Sequence, residues 1–141
     1  MVSCRWEENK WEIGMISGKI WGTTQEIFKN NSFEVHRITI KKDGFCSKHK
    51  HQAKFNAFLV ESGKLEIQVW KNDYVLVDKT ILEGQQQTVV KPGESHRFRA
   101  LEDTIAYEYY WVELRGDDII RDDVGGVGEL QPLKKRLGEI L

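Results

Sequence analysis

The feature that most constrains the fold is a series of short alternating segments, each ended by turn-forming residues. Turn pairs occur at Asp43-Gly44, Ser62-Gly63 and Pro92-Gly93. The predicted strands between such turns cover residues 33–42, 55–61, 64–70, 74–79, 87–91, 95–101 and 104–114. Apolar residues at alternate positions favour half-buried strands, and strands that recur about every eight to twelve residues are typical of all-β sandwiches and barrels. The middle of the chain therefore predicts an all-β fold, with 64–70 and 74–79 forming a hairpin.

The two ends of the chain have different patterns. We interpret residues 1–30, which contain Trp6, Trp11 and Trp21, as edge strands plus a flap. In residues 130–141, apolar side chains recur at three- and four-residue steps, at Leu133, Leu137, Ile140 and Leu141. This spacing predicts a short amphipathic helix. We expect this helix to pack on the outside of a barrel or against a partner subunit.

Length and charge exclude several classes of protein. The chain has 141 residues, which fits a single domain over 1–141, and 40% of them are hydrophobic, which is enough for a packed core. Lys and Arg total 21 against 22 Asp and Glu, so there is no basic excess of the kind that nucleic-acid binding requires. We expect no membrane span and no signal peptide, and we interpret Cys4 and Cys46 as reduced thiols of a cytoplasmic protein.

Three of the four histidines have a spacing that suits a metal site. His49 and His51 are one residue apart, so both side chains project to the same face of an extended segment. His96 follows the Pro92-Gly93 turn and begins a strand. Three neutral imidazoles can hold a divalent transition metal such as Zn, Mn, Fe or Ni and leave positions open for substrate. The alternative is that the lysine-rich stretch around His49 is a solvated surface loop.

Other polar residues on predicted strands are candidates for the same pocket. Glu108 could act as a general base if its side chain faces the interior, or as a metal ligand or structural acceptor, and it is solvated if it points outward. Lys54 shares the parity of Asn56, so it could bind a phosphate or carboxylate at the pocket mouth, or remain solvated. His36 alternates with Ile38, which indicates an interior pocket residue or a buried histidine with a backbone partner.

Two motifs resemble those of the cupin superfamily. The first contains Gly44, His49-Lys50-His51, Asn56 and Gly63, and the second contains Gly84 and the run Pro92-Gly93-Glu94-Ser95-His96. The sequence resembles a single-domain cupin over about residues 19–125. This resemblance implies an antiparallel jelly-roll β-barrel with the metal at His49, His51 and His96. Single-domain cupins often pair through edge strands, so it also implies a homodimer, for which we expect contacts near Trp6, Trp11 and Leu133–Leu141.

The sequence departs from the cupin motifs at one position that bears on the metal. Asn56 stands where the family has a metal-binding glutamate. A neutral amide oxygen is a poorer ligand for a divalent ion than a carboxylate. We therefore expect three histidines with Asn56 as an optional fourth ligand, and a site that keeps enough positive charge for an anionic substrate to complete the shell. The alternative is a cupin that has lost its metal and kept the pocket.

A more specific resemblance is to the cupin domain of type II mannose-6-phosphate isomerases. The matching stretches are Trp21-Gly22, His36-Arg37-Ile38, Glu108-Tyr109-Tyr110 and the run from Asp117 to Asp123. This resemblance implies a sugar or sugar-phosphate isomerase or epimerase, whose sugar-like ligand the alternation-based candidates Lys54 and His36 would bind. Three-histidine cupins also support non-haem iron dioxygenation. The third hypothesis is a non-catalytic sugar-binding module, which Asn56 favours.

Overall fold

The computed structural model describes residues 6–7, 10–71, 77–113 and 117–129, and β-strands are the regular elements within these ranges. The strands are β1 (Trp6–Glu7), β2 (Lys10–Trp11), β3 (Ile16–Lys19), β4 (Gly22–Lys29), β5 (Phe33–Ile40), β6 (Phe55–Ser62), β7 (Lys64–Trp70), β8 (Val77–Glu83), β9 (Gln87–Val90), β10 (Ser95–Ala100) and β11 (Thr104–Trp111). The predicted all-β class is confirmed.

The strands form two main antiparallel sheets. The larger sheet has six strands in the order β3-β4-β5-β11-β6-β9, and the smaller has the order β10-β7-β8. The predicted antiparallel pairing of these two segments is confirmed, because β7 pairs with β8 from Lys64↔Glu83 to Trp70↔Val77, although β8 continues to Glu83 and not only to the predicted end at residue 79. A further two-stranded sheet is formed by β1 and β2, and within the described ranges the sheets do not close into a barrel. Within residues 1–30, which were predicted to hold edge strands and a flap, β3 is an edge strand, but β4 pairs with both β3 and β5 and is internal.

One hydrophobic core joins the two sheets. It contains Ile38 and Ile40 of β5, Phe58 and Val60 of β6, Leu65 and Ile67 of β7, and Phe98 and Ala100 of β10, with Leu82, Val90 and Ala106. Each fully buried aliphatic or aromatic side chain contributes about 1.5–3 kcal/mol relative to an exposed one. These core residues occupy every second position of their strands, because successive side chains of a strand point to opposite faces. The same alternation in the sequence predicted the strands.

The interior face becomes polar toward one end of the larger sheet. Ala106 pairs with Ile38 and Val60 in an apolar row. Two residues further along β11, Glu108 lies between His36 and Phe58, and Tyr110 lies between Glu34 and Asn56 in the next row. Side chains two residues apart share a face of the sheet. The face that carries the core at Ala106 therefore carries polar side chains at Glu108 and Tyr110.

Several predicted features lie outside the described residues. These are the helix over residues 130–141, the expected subunit contacts at Leu133–Leu141, Cys4 and part of the predicted strand 74–79. The strands at Trp6 and Trp11 are described, but the surroundings of those two side chains are not. Within the described ranges, no helix has the length and apolar composition to cross a bilayer.

Candidate metal centre

Backbone pairing brings His49 next to His96. The segment after Gly44 runs antiparallel to β10, and it is held there by hydrogen bonds from His49 N to His96 O (3.1 Å) and from His96 N to His49 O (2.8 Å). The ring centroids of these two histidines are 4.6 Å apart, and that of His51 lies 5.1 Å from His49 and 5.5 Å from His96. The ligand atoms of all three lie within 4.8 Å of one another, so the structure brings the predicted cluster together.

Hydrogen bonds to backbone carbonyls fix two of the imidazoles. Nδ1 of His49 donates to Ser47 O at 2.7 Å, and Nδ1 of His96 donates to Glu94 O at 2.9 Å. A carbonyl oxygen only accepts, so Nδ1 carries the proton and Nε2 keeps a free lone pair. This arrangement orients metal-binding histidines in known sites. Nε2 of His51 is buried without a hydrogen-bond partner, which does not fit the alternative of a solvated loop.

Burial keeps two of these imidazoles neutral. It lowers the pKa of His96 to about 4, although the hydrogen bond to Glu94 opposes the shift. Burial, together with the positive charge of Lys54, also lowers the pKa of His51. A metal ion binds the neutral form of imidazole, so the protons do not compete with a metal near neutral pH.

Asn56, the predicted optional ligand, is fully buried and lies next to His96. Its Nδ2 donates to Tyr109 O (3.3 Å) and Ala57 O (3.4 Å), which orients the amide and leaves Oδ1 3.0 Å from Nε2 of His96. With the His96 proton on Nδ1, both facing atoms present lone pairs. A cation next to both atoms would relieve this contact, so the three histidines and Asn56 fit a divalent metal.

His49 and His51 line a cavity of about 390 Å³ that also contains Glu108. Burial raises the pKa of the Glu108 carboxyl, while hydrogen bonds with Tyr110 and Asn56 oppose the shift. Burial and the charge of Glu108 raise the pKa of Tyr110, so its hydroxyl stays protonated and donates to the carboxylate. Glu108 therefore faces the cavity, and the alternative of an outward, solvated side chain does not fit the structure.

A second polar group, which we call the rim cluster, consists of Glu34, His36 and Lys54 and lines the same cavity. Nε2 of His36 lies 3.1 Å from Glu34 Oε2, and Nζ of Lys54 lies 3.4 Å from Glu34 Oε1. Lys54 also lies over the Tyr110 ring, 5.1 Å from its centroid. Burial alone would raise the pKa of Glu34, but the hydrogen bond with His36 and the charge of Lys54 outweigh it, so this pKa is lowered.

Sequence reasoning missed two residues of this site. Glu34 precedes His36 by two positions on β5, so the alternation that placed His36 inside also placed Glu34 there. Tyr110 stands in the same relation to Glu108 on β11. Both could have been found by extending the parity argument one step toward the strand end.

Comparison with known proteins supports the cupin fold. No protein-family model and no curated protein matches the sequence. Among solved structures, KdgF from Halomonas sp. is 14% identical with a TM-score of 0.61 over 74% of this chain and 91% of that one. The Cnp3 cupin domain of Schizosaccharomyces pombe is 13% identical, with a TM-score of 0.59 over 70% of this chain and 69% of that one. Bacillus subtilis oxalate decarboxylase, which has Mn(II) centres, is 10% identical. Its TM-score is 0.61 over 70% of this chain and 27% of that one.

These similarities define the class of fold and leave the activity open. All three identities are low, and proteins of one fold perform many different reactions. The chain therefore has a cupin fold that carries a three-histidine cluster. The resemblance to type II mannose-6-phosphate isomerases is not specifically supported by these structures.

Proposed function

We propose that the protein is a divalent-metal-binding cupin that transfers a proton on a small, sugar-like hydroxycarbonyl compound, as an isomerase or epimerase does. One observation carries the proposal. The His49 imidazole, fixed with a free lone pair on Nε2, lines the same cavity as His51 and as the Glu108 carboxyl group, whose pKa is raised. Such a combination suits proton abstraction next to a carbonyl that a metal polarises.

Glu108 is the proposed base. A bound divalent metal would supply Lewis-acid polarisation of the substrate carbonyl. The Glu108 carboxylate takes the proton as the adjacent C–H bond breaks and its electron pair forms the C=C bond of an enediol. In an isomerisation Glu108 returns that proton to the neighbouring carbon, and the hydroxyl proton moves to the former carbonyl oxygen. Burial raises the pKa of Glu108, which brings it closer to the neutral range where a general base is effective. Tyr110 holds the carboxylate in place through its hydroxyl group.

Metal content and proton exchange test this proposal. Purified protein should contain close to one equivalent of a transition metal by elemental analysis, and His49→Ala/His51→Ala should lose it. Lys50→Ala is the matched control, because this exposed residue lies between the two ligands and should keep the metal. In D2O, wild-type protein should introduce deuterium next to the carbonyl of an accepted sugar or sugar phosphate, detected by NMR. Glu108→Gln should keep the metal and lose this exchange.

Three results would contradict the proposal. Absence of metal after incubation with Mn(II), Fe(II), Ni(II) and Zn(II) would leave the non-catalytic sugar-binding module as the function. Ligand binding without deuterium exchange in a metal-loaded protein would lead to the same conclusion. Oxygen consumption with Fe(II) would replace proton transfer with dioxygenase chemistry.

A further inference from the structure

We propose that Glu34 determines which substrates the cavity selects by charge. Because of Glu34, the rim cluster accepts an uncharged hydroxyl-bearing group and disfavours a phosphate. This inference rests on the proposed function, because it concerns the substrate of the same cavity. It changes the expected role of Lys54, which from sequence was a candidate for binding phosphate or carboxylate.

The Glu34 carboxylate contacts the other two side chains of the rim cluster, Lys54 and His36. One carboxylate oxygen faces Nζ of Lys54 at 3.4 Å, and the other faces Nε2 of His36 at 3.1 Å. The Glu34 side chain is 19% exposed and that of Lys54 is 45% exposed, so the ion pair is partly shielded from solvent. The positive charge of Lys54 is therefore already neutralised in the cavity.

A phosphate and a hydroxyl group meet this pair differently. A phosphate that contacts Lys54 must also lie close to the Glu34 carboxylate, and two like charges repel strongly where water is partly excluded. A hydroxyl group donates to one partner and accepts from the other, so it can bridge the carboxylate and the ammonium without separating them. The geometry therefore favours a hydroxyl group at this end of the cavity.

The other charged side chains of the cavity do not reverse this preference, and a metal at the three histidines would act equally in wild-type protein and in a Glu34 variant. The carboxyl groups of Glu26, Glu34 and Glu108 and the ammonium groups of Lys19 and Lys54 line the cavity. Lys19 is exposed on the edge strand β3. One exposed, solvent-screened ammonium contributes little to anion binding.

Titration with inorganic phosphate tests the inference. Calorimetry on metal-loaded Glu34→Gln should show phosphate binding at least about tenfold tighter than in wild-type protein, since the freed Lys54 gains a charge-assisted hydrogen bond. Glu34→Gln/Lys54→Met should lose that gain, because the ammonium group that would hold the phosphate is gone. Glu83→Gln is the matched control, because Glu83 forms a similar 3.4 Å pair with Lys64 away from the cavity.

Several outcomes would overturn the inference. These are equal phosphate affinity in wild-type protein and Glu34→Gln, a gain that survives in the double variant, and an equal gain in Glu83→Gln. If Glu34→Gln does not fold by circular dichroism, Glu34→Ala takes its place in the same comparison. In wild-type protein, mannose 6-phosphate should bind no more tightly than mannose, and a tenfold preference for the phosphate ester would refute the inference. Metal content and deuterium exchange, measured separately, show whether the proposed function itself fails.

Discussion

Replacing Asn56 with aspartate tests whether this residue shares a cation with His96. Asn56 is fully buried, and its amide donates to two backbone carbonyls. In metal-free protein, Asn56→Asp places a carboxylate against those carbonyl oxygens and close to Glu108. An unpaired buried charge costs about 3–5 kcal/mol. For a chain of this length, about 3 °C of Tm corresponds to each kcal/mol, so we expect a loss of about 9–15 °C.

Metal should reverse part of this loss. A carboxylate is a stronger ligand than an amide for a divalent ion. At a saturating metal concentration, each tenfold gain in affinity adds about 1.4 kcal/mol of stability, or about 4 °C. The metal-induced rise in Tm should therefore be larger in Asn56→Asp than in wild-type protein, by about 4 °C or more.

Thermal denaturation with EDTA and with excess Mn(II) or Zn(II) measures both effects. Asn31→Asp is the control, because Asn31 is exposed in the turn before β5 and should leave the metal-induced rise unchanged. An equal metal-induced rise in wild-type protein and Asn56→Asp would refute the assignment of Asn56 to the metal centre. A metal-free Asn56→Asp protein as stable as wild type would contradict the cost derived from its burial.

Two further predictions concern the cavity wall and the β6–β7 turn. Burial raises the pKa of Cys46 to about 11. In a Cys4→Ser variant, alkylation of Cys46 by iodoacetamide at pH 8 should therefore be about a hundredfold or more slower than alkylation of glutathione. The rate should rise as the pH approaches 11. Mass spectrometry measures this rate, and a glutathione-like rate would contradict the burial of the thiol. Gly63 has φ +99°, and a Cβ there would lie 2.3 Å from Asp103 O, so Gly63→Ala should lower the free energy of unfolding by about 1–3 kcal/mol. Urea denaturation should show no comparable loss for Gly125→Ala, where a Cβ meets nothing within 4 Å.

Local patterns were sufficient for most of the central strands and for the histidine cluster, but not for β4 or for the bounds of β8. Alternation of Leu65, Ile67 and Val69 predicted β7 with the bounds that the structure shows. Parity also placed His49 and His51 together, although their segment pairs with β10 through an isolated bridge rather than a regular strand. These predictions hold because the facing of a side chain depends on the backbone within a few residues.

The pairing of charges in the cavity could not be predicted in the same way. Lys54 meets Glu34 across 20 positions of sequence because β11 inserts between β5 and β6 in the larger sheet. Nothing local in β5 or β6 specifies that neighbour order, since antiparallel strands of this composition can pair in several arrangements. The sequence alone therefore left Lys54 open as either a solvated lysine or an anion-binding residue.

The polar end of the interior works against stability in the metal-free protein. His96 and Asn56 are as fully buried as the core residue Phe58, and one of their contacts places two lone pairs 3.0 Å apart. Buried polar atoms without a matching partner cost about 1–3 kcal/mol each, whereas apolar residues of similar size at these positions would extend the core. Burial of the apolar core residues, such as Ile38 and Val60 beside Ala106, offsets that cost. A metal ion bound at the three histidines would convert the same contacts into stabilising ones, so folding stability and metal binding are expected to rise together.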